Sequence, residues 1–94
     1  MLKEELFSEL KKIPKGKVTT YKELAEKLGT GQRVIAKLIS QNPHPITVPC
    51  HRVIRSDGKA GGYTYKGRFD PEMKIRFLEK EGHIIVDGKI VKNN

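Results

Sequence analysis

The segment Pro49-Cys50-His51-Arg52-Val53 holds the densest set of residues that could do chemistry. A thiol becomes a strong nucleophile as the thiolate, which a neighbouring base or positive charge favours. His51 and Arg52 offer both beside Cys50. In a strand Cys50 and His51 would face opposite sides, so an activated Cys50 requires a turn here, with which Pro49 is compatible. The alternative is that Cys50 is a small buried hydrophobe, as most lone cysteines are.

Two other kinds of site fit the sequence poorly. The potential zinc ligands besides Cys50 are His44, His51 and His83, and no CxxC or HxxxH spacing organises them. We therefore expect no metal and no cofactor. Most acidic residues stand among lysines, as on solvated helix faces, and no pair of catalytic carboxylates is visible.

Charge and length define the broad class of protein. The chain has 94 residues, of which 19 are Lys or Arg and 11 are Asp or Glu, so its formal net charge is +8. Residues 1–94 suit a single domain, and the positive excess favours nucleic acid, before an anionic membrane surface, as partner. The single cysteine excludes an internal disulfide framework. No apolar run approaches the roughly 18 residues of a membrane span, and the N-terminus does not look like a signal peptide. We expect a cytoplasmic protein that does not bind membranes.

Helical signals dominate the first half of the chain. A first amphipathic helix before Pro14 is predicted by Leu2, Leu6, Phe7, Leu10 and Ile13. A capping box formed by Thr20 and Glu23 then predicts a helix over residues 20–28, with Gly29 in the left-handed conformation after it. Another helix, opened by Thr30 and Gly31, ends near Gln41. Its expected inner face consists of Val34, Ile35, Leu38 and Ile39. Residues 20–41 thus outline a helix-turn-helix.

The second half mixes extended segments with one more helix. Prolines and the strand-forming residues Ile46, Val48, Val53 and Ile54 predict an extended segment that includes Cys50. Asp70-Pro71-Glu72 predicts the start of a helix that ends before Gly82. The expected buried face of this helix consists of Met73, Phe77 and Leu78. Residues 84–91 predict a hairpin on an Asp87-Gly88 type I′ turn. The fold class is α+β and mainly helical: a helix-turn-helix (winged-helix-like) core with short strands and a C-terminal hairpin.

With these motifs the chain resembles the C-terminal, active-site domain of O6-alkylguanine-DNA alkyltransferases, from about Phe7 to Glu81. The PCHRV pentapeptide carries the resemblance, together with Asn42-Pro43 eight residues upstream of Cys50 and Gly61-Gly62-Tyr63 downstream. Residues 20–25 resemble the start of the family's helix-turn-helix, and Arg33 stands where the family has its arginine finger. Residues 42–54 are then the active-site segment.

The resemblance implies single-turnover DNA repair, in which Cys50 takes the alkyl group from guanine O6 as a thiolate. His51 acts as base through a water, and Glu81 orients its imidazole. Tyr21 is the candidate proton donor to the leaving guanine. Asn42 braces the turn that carries Cys50. The implied pocket for guanine and its alkyl group is lined by Val48, Pro49, Tyr63 and Thr64.

The resemblance also implies how DNA is bound. The partner is double-stranded DNA carrying O6-alkylguanine, and the reacting base is flipped out of the duplex. Arg33 would take its place in the stack while the second helix lies in the minor groove. The DNA-binding residues are then Arg33, Tyr21, Lys37, Thr20 and Gln32. We expect the protein to be a monomer.

Several features depart from the family pattern. The family's N-terminal domain has no counterpart in these 94 residues. Val34 and Lys37 stand where the family favours small residues, which could make docking shallower, and Thr64 replaces a serine. The stretch Tyr65–Pro71 is about four residues longer than the family's loop, so substrate range could differ.

Two rival functions remain open. A non-enzymatic alkyltransferase-like lesion binder is similarly short, but such proteins have tryptophan or alanine at the position of Cys50. A basic helix-turn-helix regulator with an inert cysteine would show sequence-dependent affinity and no preference for alkylated guanine.

Overall fold

The computed structural model describes residues 2–43, 47–65 and 68–92. Its helices are α1 (Leu2–Lys11), α2 (Tyr21–Leu28), α3 (Gln32–Ser40) and α4 (Pro71–Lys80), with a 3₁₀ turn at Cys50–Arg52. Its strands are β1 (Thr19–Thr20), β2 (Val53–Ile54), β3 (Thr64–Tyr65), β4 (Arg68–Phe69), β5 (Ile84–Val86) and β6 (Lys89–Lys92). The predicted α+β, mainly helical fold is confirmed.

The helix-turn-helix forms between α2 and α3 as its local signals predict. The Thr20 hydroxyl accepts a hydrogen bond from the Glu23 backbone N–H at 3.0 Å, which satisfies one of the free donors of α2. The Glu23 carboxylate accepts a hydrogen bond from the Thr19 hydroxyl at 3.2 Å, an interaction that is separate from the capping box. Gly29 ends α2 at φ 68°, a conformation that glycine adopts without strain.

The inner face of α3 differs from the predicted one by one residue. Ile35 and Ile39 are buried and Leu38 packs against the same core, but Val34 is 42% exposed. The prediction that Val34 faces the core is therefore wrong. Helical periodicity places Val34 at the edge of the apolar stripe, and no neighbouring element covers that edge in the described structure.

A short parallel pairing joins the helix-turn-helix to the segment around Cys50. Thr19 pairs with Val53 and Thr20 with Ile54, so β1 lies beside β2. Because Tyr21 directly follows β1 and Cys50–Arg52 directly precedes β2, this pairing holds the start of α2 close to the cysteine turn. Val48 is buried as expected, but it lies in a bend and not in a strand; Ile46 falls outside the described residues.

The remaining elements complete the core. The Asp70 carboxylate caps α4 by accepting from the Met73 backbone N–H at 3.2 Å. Leu78 of α4 is fully buried, while Met73 and Phe77 are partly buried, and a lysine, Lys74, shares the buried face. Strands β5 and β6 pair around Asp87 and Gly88, both at positive φ, as a type I′ turn requires. Within the described ranges no helix is long and apolar enough to span a membrane.

Candidate active site

Cys50 opens a tight turn. Pro49 lies at φ −75° and ψ 72°, and the Cys50 backbone N–H donates to the Val48 carbonyl at 2.7 Å, which is an inverse γ-turn. The 3₁₀ turn Cys50–Arg52 follows directly. The turn that an activated cysteine requires is therefore present, and Cys50 and His51 do not alternate as they would along a strand.

The side chain of Asn42 braces this turn from inside the protein. Its amide nitrogen donates to the Val48 carbonyl at 2.8 Å, and Asn42 itself is only 4% exposed. That carbonyl also accepts the bond that closes the γ-turn. Asn42 thus connects the end of α3 with the backbone immediately before the cysteine.

The thiol of Cys50 lies in the core, with 1% of the residue exposed. Burial raises the pKa of the Cys50 thiol, because a thiolate is poorly solvated there. Hydrogen bonds from the side chains of Asn42 and Tyr63 and the positive charge of Lys74 act in the opposite direction but do not cancel that effect. At neutral pH the resting group is therefore a thiol, and its activation needs a base.

His51 lies beside Cys50 in the turn and contacts Glu81 at the end of α4. Its Nε2 lies 3.0 Å from Oε2 of Glu81, and the residue is 5% exposed. Burial lowers the pKa of His51, against the influence of Glu81, so the ring is neutral near pH 7. A carboxylate only accepts hydrogen bonds, so Nε2 carries the proton and Nδ1 keeps a lone pair. Nδ1 is buried, with no hydrogen-bond partner among the described residues.

Arg52 fixes the carboxylate that orients His51. Its Nε and Nη2 donate to the two oxygens of Glu81 at 3.0 and 2.7 Å, and its Nη1 donates to the Ile13 carbonyl at 2.7 Å. Burial alone would raise the pKa of Glu81, but hydrogen bonds from Arg52 and His51 outweigh it and hold that pKa at about 2. Sequence reasoning treated Arg52 as a charge beside the thiol; its role in holding Glu81 was missed.

Tyr21 and Lys74 form a second polar pair next to the thiol. Lys74 is fully buried, and its Nζ donates to the Tyr21 hydroxyl and to the Gly62 carbonyl, both at 3.3 Å. Burial lowers the pKa of Lys74 to about 8, against the opposing influence of Cys50. Burial, together with the nearby Cys50, raises the pKa of Tyr21 to about 12, so this phenol keeps its proton at neutral pH.

Lys74 was missing from the residues that the sequence singled out. A signal was present: Lys74 is one turn before Leu78 and two turns before Glu81, which places a lysine on the apolar face of α4. A lysine with no exposed surface is rare unless it is paired, and its partners here belong to the candidate site.

A cavity of about 330 Å³ opens beside this cluster, within the size range of small-ligand sites. It is lined by Tyr21, Ala36, Ile39, Ser40, Arg55, Gly61, Gly62, Tyr63, Thr64 and Phe69. Two of the predicted pocket residues, Tyr63 and Thr64, thus line it. Val48 and Pro49 are buried in the adjacent turn, with Val48 in the core.

The residues predicted to bind DNA lie at the start of α2 and along α3. Gln32, Arg33 and Lys37 are exposed on α3, and Thr20 is half-buried at the N-cap of α2. Arg33 and Lys37 share a helical face with Ser40, and Ser40 lines the cavity. This basic face therefore continues into the cavity mouth.

Metal binding has no support in the described parts of the chain, where no group of three or more His, Cys, Asp or Glu side chains could hold an ion. His44 lies outside those parts. His51 is engaged with Glu81, and His83 is buried close to the same carboxylate.

The fold and this cluster define a helix-turn-helix domain built around a buried cysteine. The family model "6-O-methylguanine DNA methyltransferase, DNA binding domain" matches residues 1–83. A methylated-DNA–protein-cysteine methyltransferase of Methanothermobacter thermautotrophicus is 49% identical over 70 residues, which are 74% of this chain and 38% of that protein. The chain belongs to the 6-O-methylguanine DNA methyltransferase family, as the sequence resemblance predicts. It spans less than half the length of the curated relatives it matches.

Solved structures of similar proteins include complexes with DNA. Mycobacterium tuberculosis OGT in complex with DNA superposes with a TM-score of 0.74 at 36% identity, over 84% of this chain and 48% of that one. S. pombe Atl1, in complex with damaged DNA containing O6-carboxymethylguanine, gives a TM-score of 0.75 at 29% identity, over 95% of this chain and 85% of that one.

The contribution of Lys74 to the thiol is measurable. Substitution Lys74→Met keeps an unbranched apolar stem but removes the charge, so we expect the pKa of Cys50 to rise above that of the unaltered protein. Since Cys50 is the single cysteine, NMR of its Cβ carbon against pH reports this pKa directly. Lys80→Met, which alters an exposed lysine of the same helix, is the matched control and should leave the pKa unchanged. An equal Cys50 pKa in Lys74→Met and Lys80→Met would show that Lys74 has no electrostatic role at the thiol.

Proposed function

We propose that this chain repairs DNA by transferring the alkyl group of O6-alkylguanine to Sγ of Cys50. A bond forms between Sγ and the alkyl carbon while the bond from that carbon to guanine O6 breaks. The guanine keeps the electron pair and takes up a proton. The observation that carries this proposal is the buried Cys50 in a braced turn, next to a neutral histidine with a free ring nitrogen and beside a cavity.

The first requirement of this reaction is a thiolate. The raised pKa of Cys50 leaves the thiol protonated at rest, so His51 must remove the proton through the lone pair of Nδ1. In the proposed mechanism a water carries the proton between them. The imidazolium that results is stabilised by Glu81, whose pKa of about 2 keeps it ionised throughout. Arg52 holds Glu81 in place during the transfer.

The second requirement is a proton for the departing guanine. Tyr21 lines the cavity and keeps its phenolic proton, since its pKa is raised to about 12. The Lys74 ammonium donates to the Tyr21 oxygen at 3.3 Å and stabilises negative charge that develops on it as the proton leaves. Tyr21 is therefore the proposed donor, and Lys74 is a positioning residue that acts through it.

The buried position of Cys50 determines how DNA must present the base. With 1% of the residue exposed, a base stacked in a duplex cannot reach Sγ, so the alkylated guanine has to leave the helix. The exposed residues Arg33 and Lys37 lie on the face of α3 that leads to the cavity. We propose that Arg33 fills the space left in the base stack. We propose that Lys37, Gln32 and Thr20 contact the nearby sugar-phosphate backbone of the DNA. Such contacts do not distinguish one base sequence from another.

The product is a thioether, which this chemistry does not reverse, so each molecule reacts once. A single copy supplies all of the side chains invoked, and a monomer is therefore sufficient.

Mass spectrometry of the peptide that contains Cys50 tests the proposed reaction. After incubation with a duplex bearing one O6-methylguanine, we expect this peptide to gain about 14 Da, the mass of one methylene, at no more than one group per protein. Cys50→Ala should show no gain while it still binds the duplex. An unmodified Cys50 in protein that binds the lesion tightly would contradict transfer.

Tight lesion binding with an unmodified Cys50 is the result expected for the other candidate function, a lesion binder that transfers no alkyl group. The observation that favours it is the structural similarity to S. pombe Atl1, which extends over 85% of that chain. The presence of Cys50 in a hydrogen-bonded site favours transfer instead.

The role of Arg33 is separable from the chemistry. Because Arg33 is exposed on α3 and no described contact ties it to the thiol, Arg33→Ala should slow transfer from a duplex by about 10-fold or more. It should leave the reaction with free O6-benzylguanine nearly unchanged. The rate constants for both substrates are compared with those of Lys22→Ala, which removes an exposed cation from α2. Equal losses on the duplex and the free base would contradict base extrusion by Arg33.

A further inference from the structure

Phe69 stands out as an exposed aromatic side chain at the cavity. It is 71% exposed, the largest value among the exposed large hydrophobic residues of the described chain. Its ring nevertheless lines the cavity together with Tyr21 and Tyr63. The proposed transfer steps do not involve Phe69.

Strand pairing and a neighbouring backbone hydrogen bond hold Phe69 in position. It pairs with Thr64 across β3 and β4, and the next residue, Asp70, donates its backbone N–H to the Tyr63 carbonyl at 2.8 Å. The side chain of Asp70 in turn caps α4. The backbone of Phe69 is therefore tied to the cavity wall and to the helix that carries Lys74 and Glu81.

The ring has space to lie in this position because residue 62 is a glycine. A β-carbon at position 62 would lie 3.1 Å from Cε1 of Phe69, closer than such contacts normally allow. The ring therefore rests against the backbone that leads to Tyr63. Ala36, Ile39 and Ser40 of α3 also line the cavity.

The reacting sulfur and the aromatic ring differ sharply in exposure, at 1% for Cys50 and 71% for Phe69. Cys50 is buried and contacts the side chains of Asn42 and Tyr63, whereas Phe69 lines the cavity and is largely exposed to solvent. The alkyl group must approach Sγ, so the purine ring that bears it fills the outer part of the cavity. A planar aromatic side chain on the cavity wall offers a face on which the base can stack, and stacking of this kind tolerates any base.

We propose that Phe69 is a base-holding residue, whose ring stacks on the extrahelical guanine and keeps it in the cavity. This rests on the proposed function, since it assigns a contact to the same flipped base. It predicts that the contribution of Phe69 is independent of the alkyl group and of the rest of the duplex.

Transfer kinetics on two substrates test this proposal. Phe69→Ala should lower the second-order rate constant about 10-fold for O6-methylguanine in a duplex, and by a similar factor for free O6-benzylguanine. Phe69→Tyr, which keeps the aromatic face, should restore both, while Phe69→Leu should not. Ile84→Ala, at an exposed apolar residue of β5 outside the cavity lining, is the matched control and should react like the unaltered protein.

Three outcomes overturn the proposal. A loss confined to the duplex places the ring against DNA outside the cavity. A loss confined to O6-benzylguanine places it against the alkyl group. Equal rates for Phe69→Ala and the unaltered protein show that it contacts nothing in the reaction.

A binding measurement separates failure of this proposal from failure of the proposed function. In the Cys50→Ser background, we expect Phe69→Ala to reduce the preference for a lesion-bearing over an undamaged duplex about 10-fold, with affinity for undamaged DNA unchanged. This holds even if the unaltered protein fails to alkylate Cys50, in which case the proposed transfer alone is contradicted. An unchanged lesion preference in Phe69→Ala contradicts the stacking role.

Discussion

The carboxylate of Glu81 joins three separated parts of the chain. Arg52 donates hydrogen bonds to both oxygens of Glu81 and to the Ile13 carbonyl after α1. Nε2 of His51 lies 3.0 Å from the same carboxylate. The end of α4 is thereby locked to the turn that begins at Cys50. Paired, charge-assisted hydrogen bonds fix the plane of the carboxylate as well as its position. Through this one group the orientation of the His51 ring is set by the packing of α1 and α4.

Burial of the site makes the Cys50 thiol harder to deprotonate but keeps His51 in the neutral form that can accept its proton. Removing Cys50 from water raises its pKa, and the same environment keeps His51 neutral and therefore able to accept a proton. Lys74, with no exposed surface, adds a positive charge that donates to the Tyr21 hydroxyl and acts on the Cys50 thiol. In such surroundings, charges that develop during transfer interact strongly with Lys74 and Glu81, because little water screens them. The site is thus prepared for charge separation although its resting thiol is protonated.

Sequence reasoning succeeded where neighbouring residues decide the structure. The caps at Thr20 and Asp70 and the turn at Asp87 form as predicted, since each depends on residues within one turn. It failed where distant elements decide: the exposure of Val34 depends on what packs against α3, and the Arg52–Glu81 pair spans 29 residues. Lys74 was missed because a lysine is assigned to the surface unless its partners are known. The periodicity of a helix predicts which face a side chain lies on, but not which other element packs against that face.

The protonation state of the His51 ring tests the central claim, that the Arg52–Glu81 pair leaves Nδ1 as the base for Cys50. Nitrogen NMR on the intact protein near pH 7 distinguishes the two neutral forms of the ring and the imidazolium. We expect a neutral ring with the proton on Nε2 and an unprotonated Nδ1. We also expect Glu81→Gln to disturb this state, whereas Glu79→Gln, at an exposed residue of the same helix, should not. A proton on Nδ1 at neutral pH, in either the neutral ring or the imidazolium, would contradict the account.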